Sequence, residues 1–427
     1  MKNHLLELVK GKKVLILGFG REGKSTYRIL RAIGSYASLG ISDMRPVEIE
    51  ETGIELISGE GYLDVLDDYD VVFKSPGIVL PKEKCEYKCL ITSQTEVFLH
   101  RYSSQTIGIT GTKGKSTTSS LLYHILSENG VDCVFAGNIG LPVFEIADGI
   151  SEKTAIVLEM SCHQLEFTDV SPAVAVLLNL YEDHLDHYGT KEKYCYAKQN
   201  IYRYQKEDDI LFCSEQSCPE IGECKSYVHC VTADDLPSAA VTETNLRGEH
   251  NRFNTAVVYE ICTLFGIKDE GFAAALATFS PLAHRLEYIG TVEGVDYYDD
   301  SISTTAESAI SAARSIENAG TLLVGGMDRG IDYTLLASFI ADCRLDCVIF
   351  MYESGKRVYD MVTALGKKDG APSLVYRPDL ASAVDHAKKA TEKGKACILS
   401  PAAASYGYFK NFEERGDVFK SLVLGQK

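Results

Sequence analysis

The segment Thr110-Gly111-Thr112-Lys113-Gly114-Lys115-Ser116-Thr117 carries the clearest chemistry in the chain. It follows a β-branched and apolar run and opens a stretch of helical spacing that stops at Asn129-Gly130. The amide N–H groups of such a glycine turn, with the positive end of the following helix, wrap a triphosphate. Lys115 then reaches the outer phosphates and Ser116 a Mg²⁺ ion. The strict pattern GxxxxGK[ST] needs glycine at position 109, where isoleucine stands, so the loop is a variant form. A second glycine loop, Gly18-Phe19-Gly20-Arg21-Glu22-Gly23, follows the apolar residues 14–17 and has Asp43 twenty residues beyond it. By itself that spacing points to a dinucleotide. A chain with an ATP loop needs no redox cofactor, so another nucleotide diphosphate fits equally well, and glycines that merely pack a helix on a strand are the bland alternative.

Glu159 ends the apolar run 154–158, which puts a carboxylate at the C-terminal edge of a parallel sheet beside the phosphate loop. That is the place of a Mg²⁺ ligand, the alternative being a rim salt bridge. Residues 179–187 then pack Glu182, Asp183, His184, Asp186 and His187 behind Tyr181, a density unlike a solvated loop. Lys198 lies in a helical stretch, where a lysine is ordinarily solvated. Thirteen cysteines without any CxxC pair indicate neither a disulfide framework nor a zinc ribbon and fit a reducing cytoplasm. Cys213, Cys218, Cys224 and Cys230 form the tightest group, and their irregular spacing reads as ordinary thiols rather than a metal site.

The elements that must position these residues alternate. Short aliphatic runs and longer mixed segments recur through the chain, as in βαβ units on parallel sheets. The length of 427 residues predicts about three domains. The expected architecture is α/β: a Rossmann-like domain over 1–102, a central P-loop ATPase-type domain over 103–283, and a C-terminal Rossmann-like domain over 284–427. Hydrophobic residues at 45% and charged residues at 24% exclude a disordered chain. A net charge of −17 disfavours a nucleic-acid partner. No apolar run approaches the length of a membrane span, and residues 14–17 lead into glycines rather than a signal-peptide cleavage site.

With Gly137-Asn138-Ile139-Gly140, residues 159–166, residues 248–254, His284-Arg285, Asp300-Ser301, and residues 399–405 and 409–416 standing in order behind the phosphate loop, the sequence resembles the Mur ligases over essentially its whole length. The closing motifs are most similar to those of members that add the second amino acid. The resemblance implies a monomeric cytoplasmic enzyme that uses ATP to phosphorylate the alanyl carboxylate of UDP-N-acetylmuramoyl-L-alanine and then joins glutamate, of D configuration, to it. It implies that Gly18, Phe19, Gly20, Arg21, Asp43, Arg45, Ser75, Gly77, Asn138 and His184 meet the UDP substrate. Asn251, Asn254, Arg285 and Asp300 meet ATP together with residues 111–117. Thr304, Arg329, Ser405 and Phe412 meet the amino acid. Lys198 becomes a carbamate that joins Ser116, Glu159 and His184 in holding two Mg²⁺ ions, with Lys115, Lys198 and His184 in catalytic roles. Three positions depart from the family pattern: Ile302 replaces a usual Lys, Arg329 lies in an altered glycine segment, and His163 replaces a usual Phe. An L-glutamate or other acceptor, or a nucleotide-sensing paralogue without turnover, are the competing readings.

Overall fold

The computed structural model describes all residues except 182–183, 241–245, 247–248, 281–282, 367–369 and 426–427, together with all side chains of the described residues except those at 185, 186, 249, 250 and 307. It divides into two compact units, residues 1–279 and 280–427.

The first unit holds two parallel sheets. Strands β1 (Lys13–Leu17), β2 (Ser38–Asp43), β3 (Glu55–Ser58), β4 (Val71–Lys74) and β5 (Leu90–Thr92) pair in the order β3-β2-β1-β4-β5. Strands β6 (Thr106–Thr110), β7 (Cys133–Gly137), β8 (Ala155–Glu159), β9 (Val174–Leu177), β10 (Ile210–Cys213) and β11 (Tyr227–Cys230) pair in the order β11-β10-β9-β6-β8-β7. The central strands β1, β6 and β8 read as continuous apolar runs because both faces are covered, as parallel strands require. One hydrophobic cluster runs from Val14, Ile16 and Leu30 at the first sheet, through Phe98 and Tyr102 of the helix Gln94–Tyr102, to Ile156, Leu158 and Leu177 at the second. The expected boundary near residue 103 therefore lies within a shared core.

The second unit has strands β12 (Glu287–Val292), β13 (Val295–Asp299), β14 (Ala319–Val324), β15 (Cys347–Met351), β16 (Ser373–Arg377) and β17 (Ala396–Leu399) in the order β12-β13-β17-β14-β15-β16. All pairings are parallel except β12 with β13, a hairpin whose turn residues Glu293 and Gly294 both take positive φ, 54° and 86°. Among the described residues no helix is long and apolar enough to cross a membrane.

The two glycine loops sit where a strand hands over to a helix. The helix Arg21–Ile33 begins after Gly20 and closes on Gly34 in the left-handed region at φ 61°. Gly23 in its first turn stands against the carbonyl of Gly18, and a Cβ there would come within 2.0 Å of that oxygen. Backbone cannot retreat as a flexible side chain can. Gly23→Ala is expected to cost about 2 kcal/mol or more of folding free energy, read from the urea midpoint of the whole chain, with an unchanged midpoint counting against this contact.

Candidate active site

The phosphate loop leaves β6 with its backbone held open by glycine. Gly111 has φ 156° and Gly114 φ 86°, and a Cβ on Gly114 would meet the amide of Asn254 at 2.9 Å. Thr112 donates its N–H to the Asn179 carbonyl at 3.0 Å, while the Asn179 side chain accepts from Lys113 N at 2.8 Å and donates to Lys113 O at 3.1 Å. The exit of β9 thus braces the loop from below. Asn254 in turn reaches Asn251 at 3.4 Å. Lys115 folds its ammonium onto the carbonyls of Gly111 and Thr112 at 2.9 and 3.0 Å, and Ser116 and Thr117 open the helix Lys115–Glu128. A helix N-terminus with a lysine folded beside it favours a negative charge.

Beside the loop the sequence delivers two charged groups to the interior. Glu159 at the end of β8 is fully buried; its carboxylate accepts from Asn138 Nδ2 at 2.7 Å and from Ser119 Oγ at 3.3 Å. Lys198, 1% exposed in the helix Lys191–Arg203, donates to the same Gly111 carbonyl that Lys115 uses, at 2.8 Å, and sits 5.0 Å from the Tyr194 ring. Tyr194 OH lies 2.9 Å from Thr112 Oγ1. The oxygen donors of Ser116 and Glu159 suit a hard cation such as Mg²⁺.

His184 takes a left-handed backbone at φ 52°, and its ring packs 4.9 Å from that of His163 and 6.1 Å from Tyr194. Of the acidic residues predicted around it, Glu182 and Asp183 and the side chain of Asp186 lie outside the described residues. His187 instead contacts Glu166 at 3.2 Å. Burial, then the imidazoles of His187 and His184, hold His163 down to about pKa 3. Its ring stacks on Tyr188 at 5.6 Å and an interplanar angle of 8°.

The first glycine loop meets this centre through Arg21, whose guanidinium donates to the carbonyls of Gly137 and Asn138 at 3.2 and 3.0 Å. The Asp43 carboxylate accepts the N–H groups of Phe19 at 2.6 Å and Arg45 at 2.9 Å, so it shapes the loop. Ser75 Oγ donates to Gly18 O at 3.0 Å. Gly20, Arg21, Ser75, Gly77 and Asn138 line a cavity of about 320 Å³ together with Ser161, His163 and Gln164. Sequence reasoning misses Glu22 and Gln164 of this wall and the adjacent Lys74. Lys74 is 4% exposed, donates to Pro76 O at 3.1 Å, and is lowered to about pKa 8 by burial, partly opposed by the charges of Glu166 and Glu22. Glu22, raised by burial, accepts from Gln164 at 2.8 Å through one oxygen while the other has no partner. A lysine closing the apolar strand 71–74 ahead of Ser75-Pro76-Gly77 was the available signal.

Arg285, Asp300, Thr304, Arg329, Ser405 and Phe412 belong to the second unit. Asp300 is buried after β13 and accepts from Leu286 N at 3.1 Å and Ser400 Oγ at 2.6 Å; burial pushes its carboxyl up to about pKa 6. Arg285 has its Nε buried without a hydrogen-bond partner among the described residues, and its charge acts on Asp300. Ile302 donates its N–H to His284 O at 3.1 Å. Arg329 is exposed, and the neighbouring Asp328 pairs with Arg357 at 3.3 Å. Ser405 is buried, and its carbonyl accepts from the N–H groups of Tyr408 and Phe409. Thr304 and Phe412 are half-buried, and Phe412 offers its carbonyl to Ser301 Oγ at 2.8 Å. The arginine that organises this region is Arg415, which stands inside the motif at 409–416 without a role assigned to it. Fully buried, it donates to Ser301 Oγ, Ser301 O and Ala403 O at 2.9, 2.7 and 3.0 Å, and thereby joins the loop after β13 to the loop after β17.

The chain is similar to known proteins along its length. The Mur ligase middle domain matches residues 109–223. A protein of Ligilactobacillus salivarius (strain UCC118), named UDP-N-acetylmuramoylalanine--D-glutamate ligase, is 31% identical, covering 98% of this chain and 97% of its own. One of the same name from Geobacillus kaustophilus (strain HTA426) is 32% identical over 96% and 97%. Among solved structures, MurF ligase from Thermotoga maritima in complex with ADP superposes with a TM-score of 0.57 at 17% identity, covering 99% of this chain and 97% of that one. UDP-N-acetylmuramate-alanine ligase MurC from the same organism gives 0.55 at 17%, over 97% and 100%.

The Asp300 carboxyl yields a pH prediction. A carboxylate raised in the folded state burdens folding once it ionises: the cost is absent below about pH 4 and complete above about pH 6. Asp300→Asn keeps the acceptor for Leu286 N–H and lets the Ser303 and Ser400 hydroxyls turn to accept. Relative to the wild type, this variant is expected to gain about 3 kcal/mol between pH 4 and pH 7. Urea unfolding of both proteins across that range measures it, and parallel curves would refute the assignment.

Proposed function

The chain belongs to the Mur ligase family, and on that premise we propose that it is an ATP-dependent amide ligase of peptidoglycan precursor synthesis that joins D-glutamate to UDP-N-acetylmuramoyl-L-alanine. The observation that carries the reading is the convergence of Lys115 and Lys198 on the Gly111 carbonyl, beside the buried Glu159, within a chain that matches the named relatives along its whole length.

In this reading the first sheet, the second sheet and the second unit are three domains, taking the UDP moiety, ATP and the amino acid respectively. The alanyl carboxylate attacks the γ-phosphorus of ATP, the bond to ADP breaks, and an acyl phosphate forms. The amine of glutamate then attacks the acyl carbon, inorganic phosphate leaves, and the nitrogen loses a proton. The helix N-terminus that opens at Lys115 and the Lys115 ammonium hold the triphosphate in line, work that consists of positioning and charge neutralisation. Arg21 and Asn138 hold the UDP-linked end against Glu159, with His184 at the muramoyl end. Asn251, Asn254, Arg285 and Asp300 contact ATP, and Thr304, Arg329, Ser405 and Phe412 receive glutamate. Lys198 is the carbamylation site: its neutral amine forms an N–C bond to CO₂ and releases one proton, turning a buried cation into an oxygen donor. Held by Ser116, Glu159, His184 and that carbamate, Mg²⁺ ions supply charge neutralisation for the transferring phosphoryl group.

Glutamate brings two carboxylates into a closed site, and an unpaired buried carboxylate is costly. Ile302 stands where the family's lysine supplies one cation, and the Arg329 guanidinium takes its place with a bidentate fork.

Two experiments test the proposal. Purified protein with ATP, Mg²⁺ and UDP-N-acetylmuramoyl-L-alanine is expected to release phosphate and gain the mass of glutamate with D-glutamate. Turnover only with a non-acidic amino acid overturns the acceptor, and equal rates with both enantiomers in wild type and Arg329→Ala overturn the role of Arg329. Lys115→Ala and Lys198→Ala are each expected to lower turnover by about 100-fold or more while leaving the affinity for the UDP substrate in place. Full activity of Lys198→Ala would sink the carbamate.

A further inference from the structure

Away from the nucleotide loop, three thiols meet at the outer end of the second sheet. Cys213 closes β10 and Cys230 closes β11, and the two are register partners in a parallel ladder, so their side chains leave the same face. Beyond Cys213 the chain reverses in a tight turn over Glu215–Ser217, locked by reciprocal contacts between Ser214 and Ser217 at 2.8 to 3.3 Å. The reversal returns Cys218 to Cys213, and the three sulfur atoms lie within 4.8 Å of one another. All are free thiols; Cys213 is buried, while Cys218 and Cys230 are exposed and give an ion access. Cys224, which the sequence groups with them, turns instead to Ser226 Oγ at 3.0 Å.

Three sulfurs converge on one point that is open to solvent. Thiolates select soft d¹⁰ ions and reject Mg²⁺, so the cluster is chemically distinct from the oxygen donors at Ser116 and Glu159. Sulfurs at about 2.3 Å from a tetrahedral ion stand roughly 3.8 Å apart, a contraction within the reach of side-chain rotation. We propose that Cys213, Cys218 and Cys230 form a binding site for one thiophilic d¹⁰ cation of the Zn²⁺ class, with water or the Glu215 carboxylate in the fourth position. Up to three thiol protons leave to solvent as the sulfur–metal bonds form.

The site has a route to the nucleotide loop. Ser217 Oγ donates to Leu177 O at 2.7 Å, and the Gln216 amide bridges Leu180 N and O at 3.0 and 2.6 Å. The turn that carries Cys218 therefore grips the exit of β9, whose Asn179 braces Lys113. An ion at the thiols stiffens that support, and binding to the folded state alone raises thermal stability.

The test uses the full chain, reduced with a phosphine and freed of metal, titrated with Co²⁺ as a spectroscopic stand-in for Zn²⁺. A sulfur-to-cobalt charge-transfer band is expected to saturate at one equivalent, to persist in excess Mg²⁺, and to bleach as Zn²⁺ displaces Co²⁺ and raises Tm. Cys218→Ser and Cys230→Ser alter exposed side chains and leave the core intact. Each is expected to weaken Zn²⁺ binding at least about 100-fold in competition with a chromophoric chelator, and the pair to abolish the band. The exposed Cys85 is the control, and Cys85→Ser is expected to bind as the wild type does. Absence of the band in the wild type overturns the proposal. So does a band that survives in the double variant, which would place the ion at the separate Cys162, His163 and His184 group.

Discussion

One peptide carbonyl carries two lysines. Gly111 O accepts from Lys115 at 2.9 Å and from Lys198 at 2.8 Å, and Lys198 is buried while Lys115 is partly so. Like charges gathered at one acceptor repel more strongly where water is excluded. Much of the first unit can be understood as the scaffold of that one carbonyl. The β9 exit and Asn179 fix the peptide that bears the carbonyl, Gly111 and Gly114 let it bend, and Tyr194 and Thr112 close its far side. In the proposed reaction a triphosphate meets one of these lysines and carbamylation turns the other into an anion, so the two chemistries meet at one peptide.

What was legible in the sequence follows from how local each signal is. Glycine loops and their flanking strands and helices were readable because conformation and periodicity are written within a dozen residues: β1, β6 and the helix stop at Asn129 fall where the pattern placed them. Groups whose meaning depends on tertiary burial were not. Arg415 looks like any helical surface arginine until Ser301 and Ala403 surround it, and Lys74 like a strand-end cation until Phe167 covers it at 4.9 Å. That Cys213 and Cys230 stand side by side was hidden for a sharper reason. Irregular spacing along the chain says nothing about a parallel register that sets residue 213 against residue 230. Nor does composition announce that one apolar cluster serves two sheets.

His163 shows how a departure in residue type can preserve a physical role. Burial among imidazoles keeps its ring neutral, and it stacks face to face on Tyr188 as a phenyl group would, with Nδ1 3.2 Å from the Tyr188 hydroxyl. The substitution retains the flat aromatic surface and adds a polar contact, so its effect is on the orientation of Tyr188 rather than on the charge of the cavity.

Asn138 occupies a position with consequences for how such chains can diverge. Its side chain holds Glu159, its N–H reaches the Glu159 carbonyl at 2.9 Å, and its own carbonyl is held by Arg21 from the first sheet. Gln164 and Glu22 repeat the link a short distance away. A recombination that traded the first hundred residues for those of a relative would import one half of each pair without the other. Within the first unit, ancestry is thus expected to be shared by both sheets, and gene-tree disagreement between segments, where shuffling has occurred, to begin near residue 280, where the chain passes from one compact unit to the next.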